Sequence, residues 1–132
     1  MNIMIYFFPI LINSVLSGIF FITPYRLAAE GSSGIVVGMA TAVWSVIYGL
    51  VSILIGRIAN SRNAPVLIEL GGIVVALSAF GFIILDGLYM QFFWIALNGC
   101  GIAFYCMPFQ LFMKRLEPDA RTGVVRASAL YT

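Results

Sequence analysis

GRIANSRNAP, Gly56 to Pro65, holds two arginines and no acid, and a long apolar run lies on each side of it. Each run has about twenty residues, the length a helix needs to span a bilayer. Between them the chain stops, turns, and places positive charge in one short loop.

The composition explains the turn. Of 132 residues, 62% are hydrophobic and 9% charged, and the mean hydropathy is +1.07. A soluble domain carries about 25% charged residues, so this chain cannot cover a surface in water. Long intervals hold no charge at all, which makes lipid its solvent. The net charge of +2 is too small and too local for a nucleic-acid footprint. With no histidine, a His-based triad, a His-ligated metal and an imidazole switch are all excluded. Cys100 and Cys106 lie six apart in an apolar run, which is neither a CxxC nor a zinc spacing. They read as small apolar residues.

Four stretches have span length: 3–23, 35–55, 65–85 and 92–112. None alternates polar and apolar every second residue, as a barrel strand would, so all four are expected to be helices. Short connections make successive helices antiparallel neighbours. A signal peptide is the alternative for the first run, but it lacks a basic leader and exceeds the usual apolar core of such peptides.

Basic residues set the orientation. Arg57, Arg62, Lys114, Arg115, Arg121 and Arg126 fall on one side of the expected membrane, and Arg26 on the other. This places the amino terminus, the 56–64 loop and the carboxyl-terminal segment in the cytoplasm of a multi-pass protein of the cytoplasmic membrane. Near the end, LEPDARTG reads as a helix start, with Pro118 in a first turn and Glu117 and Asp119 at its positive pole. Apolar character returns from about residue 124, as in the opening turns of a fifth span. Residues 1–132 therefore read as part of a larger transmembrane domain, whose further helices and the lipid bilayer are the expected partners.

The faces of the helices carry the functional signal. On the second span Gly38, Ala42, Ser45, Gly49, Ser52 and Gly56 form one stripe, and Ala96, Gly99, Ala103 and Cys106 form another on the fourth. In lipid, small residues let helix backbones approach closely, so both stripes are expected to be packing seams. Beside them lie polar and aromatic groups at mid-membrane depth. Asn13 and Ser17 share a face of the first span, Thr41, Trp44 and Tyr48 an arc of the second, and Asn98 and Tyr105 a face of the fourth. An unpartnered asparagine in hydrocarbon is unfavourable, so Asn13 and Asn98 should face the bundle interior. Two readings stay open: interhelical hydrogen bonds with filler aromatics, or the lining of a substrate cavity.

Glu69 is the one acid within a span. It is either a proton site or, lying about 6 Å past Pro65 at about 1.5 Å per residue, an interfacial partner of Arg62. The chain has no nucleophile beside a base, no paired carboxylates in a cleft and no phosphate loop. No enzymatic activity and no cofactor are expected.

GRIANSRNAPVLIELG resembles the signature loop between the second and third helices of the major facilitator superfamily, G-x-x-x-D-[RK]-x-G-[RK]-[RK]. Gly56 matches the first glycine, and Arg57, Ile58 and Ala59 fill the variable positions. Asn60 stands at the aspartate, Ser61 at the first basic position, Asn63 at the second glycine, and Ala64 and Pro65 at the basic pair, which Arg62 replaces in part. Asn98 to Ala103 resembles the glycine-rich part of the family's fourth helix, with Ile95 where an arginine usually precedes it. EPDARTGVVRASAL resembles the entry into its fifth helix.

The resemblance implies the first third of a twelve-helix secondary transporter that works by alternating access. It places the first, second, fourth and fifth helices around a central cavity and the third outside. The loop residues Gly56, Arg57, Asn60 and Arg62 would then act in gating, with Asn60 bonding helix-end amides without charge. The candidate lining is neutral and aromatic, which disfavours a highly charged substrate. Two alternatives are a complete four-helix carrier acting as a homodimer, like the small multidrug resistance proteins, and a non-transporting membrane subunit or scaffold. The former carry a glutamate in their first helix, and here no acid precedes Glu30.

Overall fold

The structure, a computed structural model, describes residues 4–116. The expected helix start at 117–123, the fifth span, Arg121 and Arg126 lie outside the described residues. Within them the chain forms four α-helices: α1 (Met4–Ala29), α2 (Gly34–Ile58), α3 (Ala64–Ile84) and α4 (Leu88–Leu116). All four are long and apolar enough to cross a membrane, and the architecture is that of an all-α integral membrane protein.

The helices overrun the apolar runs that announce them. α1 continues six residues past Thr23 to Ala29, and α4 starts at Leu88 rather than Phe92. A hydropathy boundary marks the edge of the hydrocarbon, whereas a helix ends where its last carbonyls find donors. α1 ends at Gly31, whose φ of +79° allows the reversal. There the Gly31 amide donates to the Ala28 carbonyl at 3.0 Å and the Ser32 amide to the Leu27 carbonyl at 2.9 Å, the paired bonds of a Schellman motif. Gly87, with φ of +114°, makes the turn into α4. Pro65 opens α3, where a missing amide hydrogen does no harm.

α4 is the central helix. It packs along α3 on one side and along α2 on the other, α2 and α3 have no close contact, and α1 lies more lightly against all three. The α3–α4 contact is close enough to require glycine. A β-carbon on Gly71 would stand 2.9 Å from the Gly101 carbonyl oxygen and 3.0 Å from the Tyr105 nitrogen, and one on Gly81 would enter the Trp94 ring. Towards the basic end the core gathers Ile12, Val75, Ile102, Tyr105, Phe109 and Met113. Towards the other end it gathers Ile19, Leu27, Ala40, Phe82 and Ile95. The outside is apolar as well: Phe21, Leu50, Ile53, Phe80 and Ile83 are all exposed, as lipid-facing positions should be.

The two ends of the bundle are held differently. At the end bearing the 30–33 and 85–87 turns, the Arg26 guanidinium forms an ion pair with Asp86 at 2.9 Å and donates to the Phe82 carbonyl. It also lies over the Phe82 ring, 5.1 Å from its centroid. Glu30 accepts from Gln91 Nε2 at 2.9 Å. The lone arginine of this end is thus neutralised where it stands. The opposite end gathers Arg57, Arg62, Lys114 and Arg115, and no ion pair forms there among the described residues.

Candidate functional site

Three helices enclose a groove of about 430 Å³. Asn13 and Leu16 come from α1, Trp44 and Tyr48 from α2, and Ile102, Cys106 and Gln110 from α4. The spacing explains the assembly: residues four apart on a helix share a face, so Trp44 sits with Tyr48, and Ile102 with Cys106 and Gln110. α3 contributes no residue to it.

The aromatic wall is held rigidly. The Trp44 and Tyr48 rings stack with centroids 5.1 Å apart and planes within 7° of parallel, and Phe20 meets Trp44 edge-on at 5.0 Å. Trp44 Nε1 donates to Asn98 Oδ1 at 3.1 Å. Asn98 Nδ2 donates to Ser78 Oγ at 3.3 Å, and Ser78 Oγ donates to the Val75 carbonyl at 2.7 Å. This chain of bonds crosses α2, α4 and α3, and Asn98 and Ser78 at its centre are fully buried. Both polar side chains are therefore satisfied away from lipid.

Asn13, Trp44 and Tyr48 thus come together in the groove. The other expected lining residues do not. Asn98 stands behind Trp44 as its anchor, because the ring that uses its carbonyl also shields it. Tyr105 is fully buried outside the groove, against Phe8 at 5.5 Å and Phe109 at 5.2 Å. Seven residues return to within about 20° of the same direction, so Tyr105 shares the face of Asn98 as expected. That face, however, is buried inside the bundle and does not line the groove. Ser17 and Thr41 are exposed outside the groove. Cys106 and Gln110, passed over as a small apolar residue and as an unremarked amide, both line it. The 102, 106, 110 spacing was the signal for them, and Ser78 was findable as the partner a buried Asn98 needs.

The two small-residue stripes part company. On α4, a β-carbon at Gly99 would stand 2.9 Å from the Trp44 carbonyl oxygen, so that stripe is the seam with α2. On α2, a β-carbon at Gly38 or Gly49 would meet nothing within 4 Å, and Ala42 and Ser45 are exposed. Of the three stripe glycines only Gly56 has a neighbour there: a β-carbon on it would stand 3.3 Å from Met107 Cε. The expected seam along α2 has no partner among the described residues, because α4 packs on a different face of α2.

The 59–63 loop is built around two asparagines. Asn60 Oδ1 accepts from the Arg62 and Asn63 amides at 2.9 and 3.0 Å. Asn63 Oδ1 accepts from the Asn60 amide at 2.8 Å, and Asn63 Nδ2 donates to the Ile58 carbonyl at 2.8 Å. Asn60 thus accepts from amides of its own loop, ahead of the first residue of α3. Arg57 and Arg62 are exposed beside it, and Arg115 donates to the Ser61 carbonyl at 3.3 Å.

Glu69 pairs with neither Arg57 nor Arg62. It lies exposed at the edge of a second, apolar groove of about 190 Å³, lined also by Phe8, Pro65, Ile68, Phe109 and Phe112. No protein-family model, curated protein or solved structure matches the chain.

Proposed function

We propose that the chain belongs to a secondary transporter of the alternating-access kind and supplies part of the solute path. The observation that carries this is the groove between α1, α2 and α4. Polar groups within a membrane face a bundle interior or a water-filled path, and here two carboxamides, a phenol and a thiol are grouped at one opening. α3 takes no part, which agrees with the arrangement the major facilitator resemblance implies. The open stripe on α2 supports a larger bundle, with further helices seated against Gly38 and Gly49. The six-to-one division of basic residues supports a cytoplasmic amino terminus.

Uptake into vesicles holding the full-length protein tests the reading. With a panel of neutral and charged labelled solutes, at least one is expected to enter faster than into vesicles without the protein. Trp44→Ala should abolish that difference at equal protein content. If no solute enters faster, or if Trp44→Ala removes folded protein in proportion to uptake, the groove is not a transport path.

A further inference from the structure

The groove has a chemical character that narrows what it holds. No lysine, arginine, aspartate or glutamate lines it. The described acids lie elsewhere, Glu30 and Asp86 at one end of the bundle and Glu69 on the edge of the other groove. A charged solute entering here would lose hydration and find no counter-charge. A neutral solute meets no such penalty.

The wall also has a shape. Trp44 and Tyr48 present a stacked aromatic step, and the bond from Trp44 to the buried Asn98 sets the angle of that step before any ligand arrives. Ile102 and Leu16 pack in the same cluster as the step, and the Asn13 and Gln110 carboxamides complete the polar part of the lining. Carboxamides both donate and accept hydrogen bonds, so they match a ligand that does the same. The volume of about 430 Å³ falls within the range of small-molecule sites, roughly 300–1,000 Å³.

Resting on the transporter reading, we propose that the groove binds uncharged, flat solutes that join an aromatic or heteroaromatic ring to an amide-like group, and rejects organic ions of the same size. The ring lies along the aromatic step and the amide reaches the carboxamides. Pre-set aromatic geometry favours rigid, planar ligands because neither partner gives up much freedom on binding.

Cys106 supplies the test, since it lines the groove and Cys100 is the only other cysteine. In membranes holding the full chain with Cys100→Ser, the rate of Cys106 modification by N-ethylmaleimide is measured alone and with benzamide, benzoate or benzyltrimethylammonium. Benzamide well above its Kd should slow modification at least about fivefold by occupancy, while the two ions leave the rate unchanged. Gln110→Glu, which adds one carboxylate to the lining, should make benzyltrimethylammonium protective. Protection by the ions as strong as by benzamide, or none by benzamide, overturns the proposal. So does a Cys106 that stays unmodified even at a pH high enough to ionise the thiol, because the groove would then be closed. Protection by benzamide without vesicle uptake of any solute would refute transport and leave the ligand class standing. Uptake of charged solutes with no benzamide protection would do the reverse.

Discussion

The α3–α4 interface and the outer face of α2 carry the same kind of residue to opposite ends. On α3, Gly71 and Gly81 lie under α4 so closely that a single added carbon would strike backbone or an indole ring. On α2, Gly38 and Gly49 stand open. Small-residue spacing therefore identifies a helix able to be approached closely, and a second helix has to supply the approach. α4 does so for α3 and, through Gly99, for another side of α2.

The sharpest way to break this comparison is a matched pair of substitutions. Gly71→Leu should remove most folded protein, because the leucine meets the Gly101 and Tyr105 backbone and overpacking of this kind costs about 1–3 kcal/mol or more. In residues 1–132 alone Gly49→Leu should leave the original stability, since its side chain enters open space. In a longer chain that seats further helices on the stripe, the same change should lower it. The yield of monodisperse protein in detergent and the midpoint of thermal unfolding read both. Equal losses would mean that the α2 stripe is already occupied in the folded protein.

A smaller effect is expected where α2 meets α4 by polar contact. Asn98→Leu leaves Trp44 Nε1 without its acceptor and Ser78 Oγ with only its bond to the Val75 carbonyl. Interhelical hydrogen bonds in membranes contribute about 0.6 kcal/mol on average and up to about 1.7. A loss in that range is expected, with tryptophan emission shifted as the Trp44 ring is released. Unchanged emission would mean that packing by Phe20 and Tyr48 alone fixes the ring.

The smallest effect belongs to the end of the bundle away from the arginine-bearing loop. Arg26→Gln removes the ion pair with Asp86, whose carboxylate is largely exposed. Exposed pairs contribute about 0.2–1 kcal/mol and weaken with salt. The wild-type margin over the variant should therefore narrow as ionic strength rises. A margin that does not change with salt would assign the contribution to the bond with the Phe82 carbonyl and the ring contact instead.

The four spans and the lipid-facing composition were legible because hydropathy averages over twenty residues and tolerates error at any one. The site was legible in part. Trp44 and Tyr48 are four apart, and a four-residue step keeps its face. Asn98 and Tyr105 do share a face, since seven residues return to within about 20°, but periodicity does not say whether a face meets a groove or another helix, and this one is buried. The α2 stripe was legible as a pattern, but its partner is a property of another segment and cannot be read from α2. Glu69 shows the same limit: nearness in sequence to Arg62 does not make a pair, and Glu69 lies at the edge of the apolar groove instead.

The central place of α4 has a consequence for biogenesis. Helices enter the membrane in chain order, and α1, α2 and α3 arrive before the helix that holds them together. α2 and α3 have no close contact with each other, so until α4 arrives they reside in lipid almost as independent solutes. α3 is the most apolar of the four and can wait there, whereas α4 is the least apolar and brings the buried Gln91 and Asn98. By the time those amides enter, Glu30 and Ser78 are already in place to receive them. A ribosome stalled before α4 would leave α2 and α3 joined only through their light contacts with α1, and Ser78 and Trp44 without the Asn98 bonds that link them.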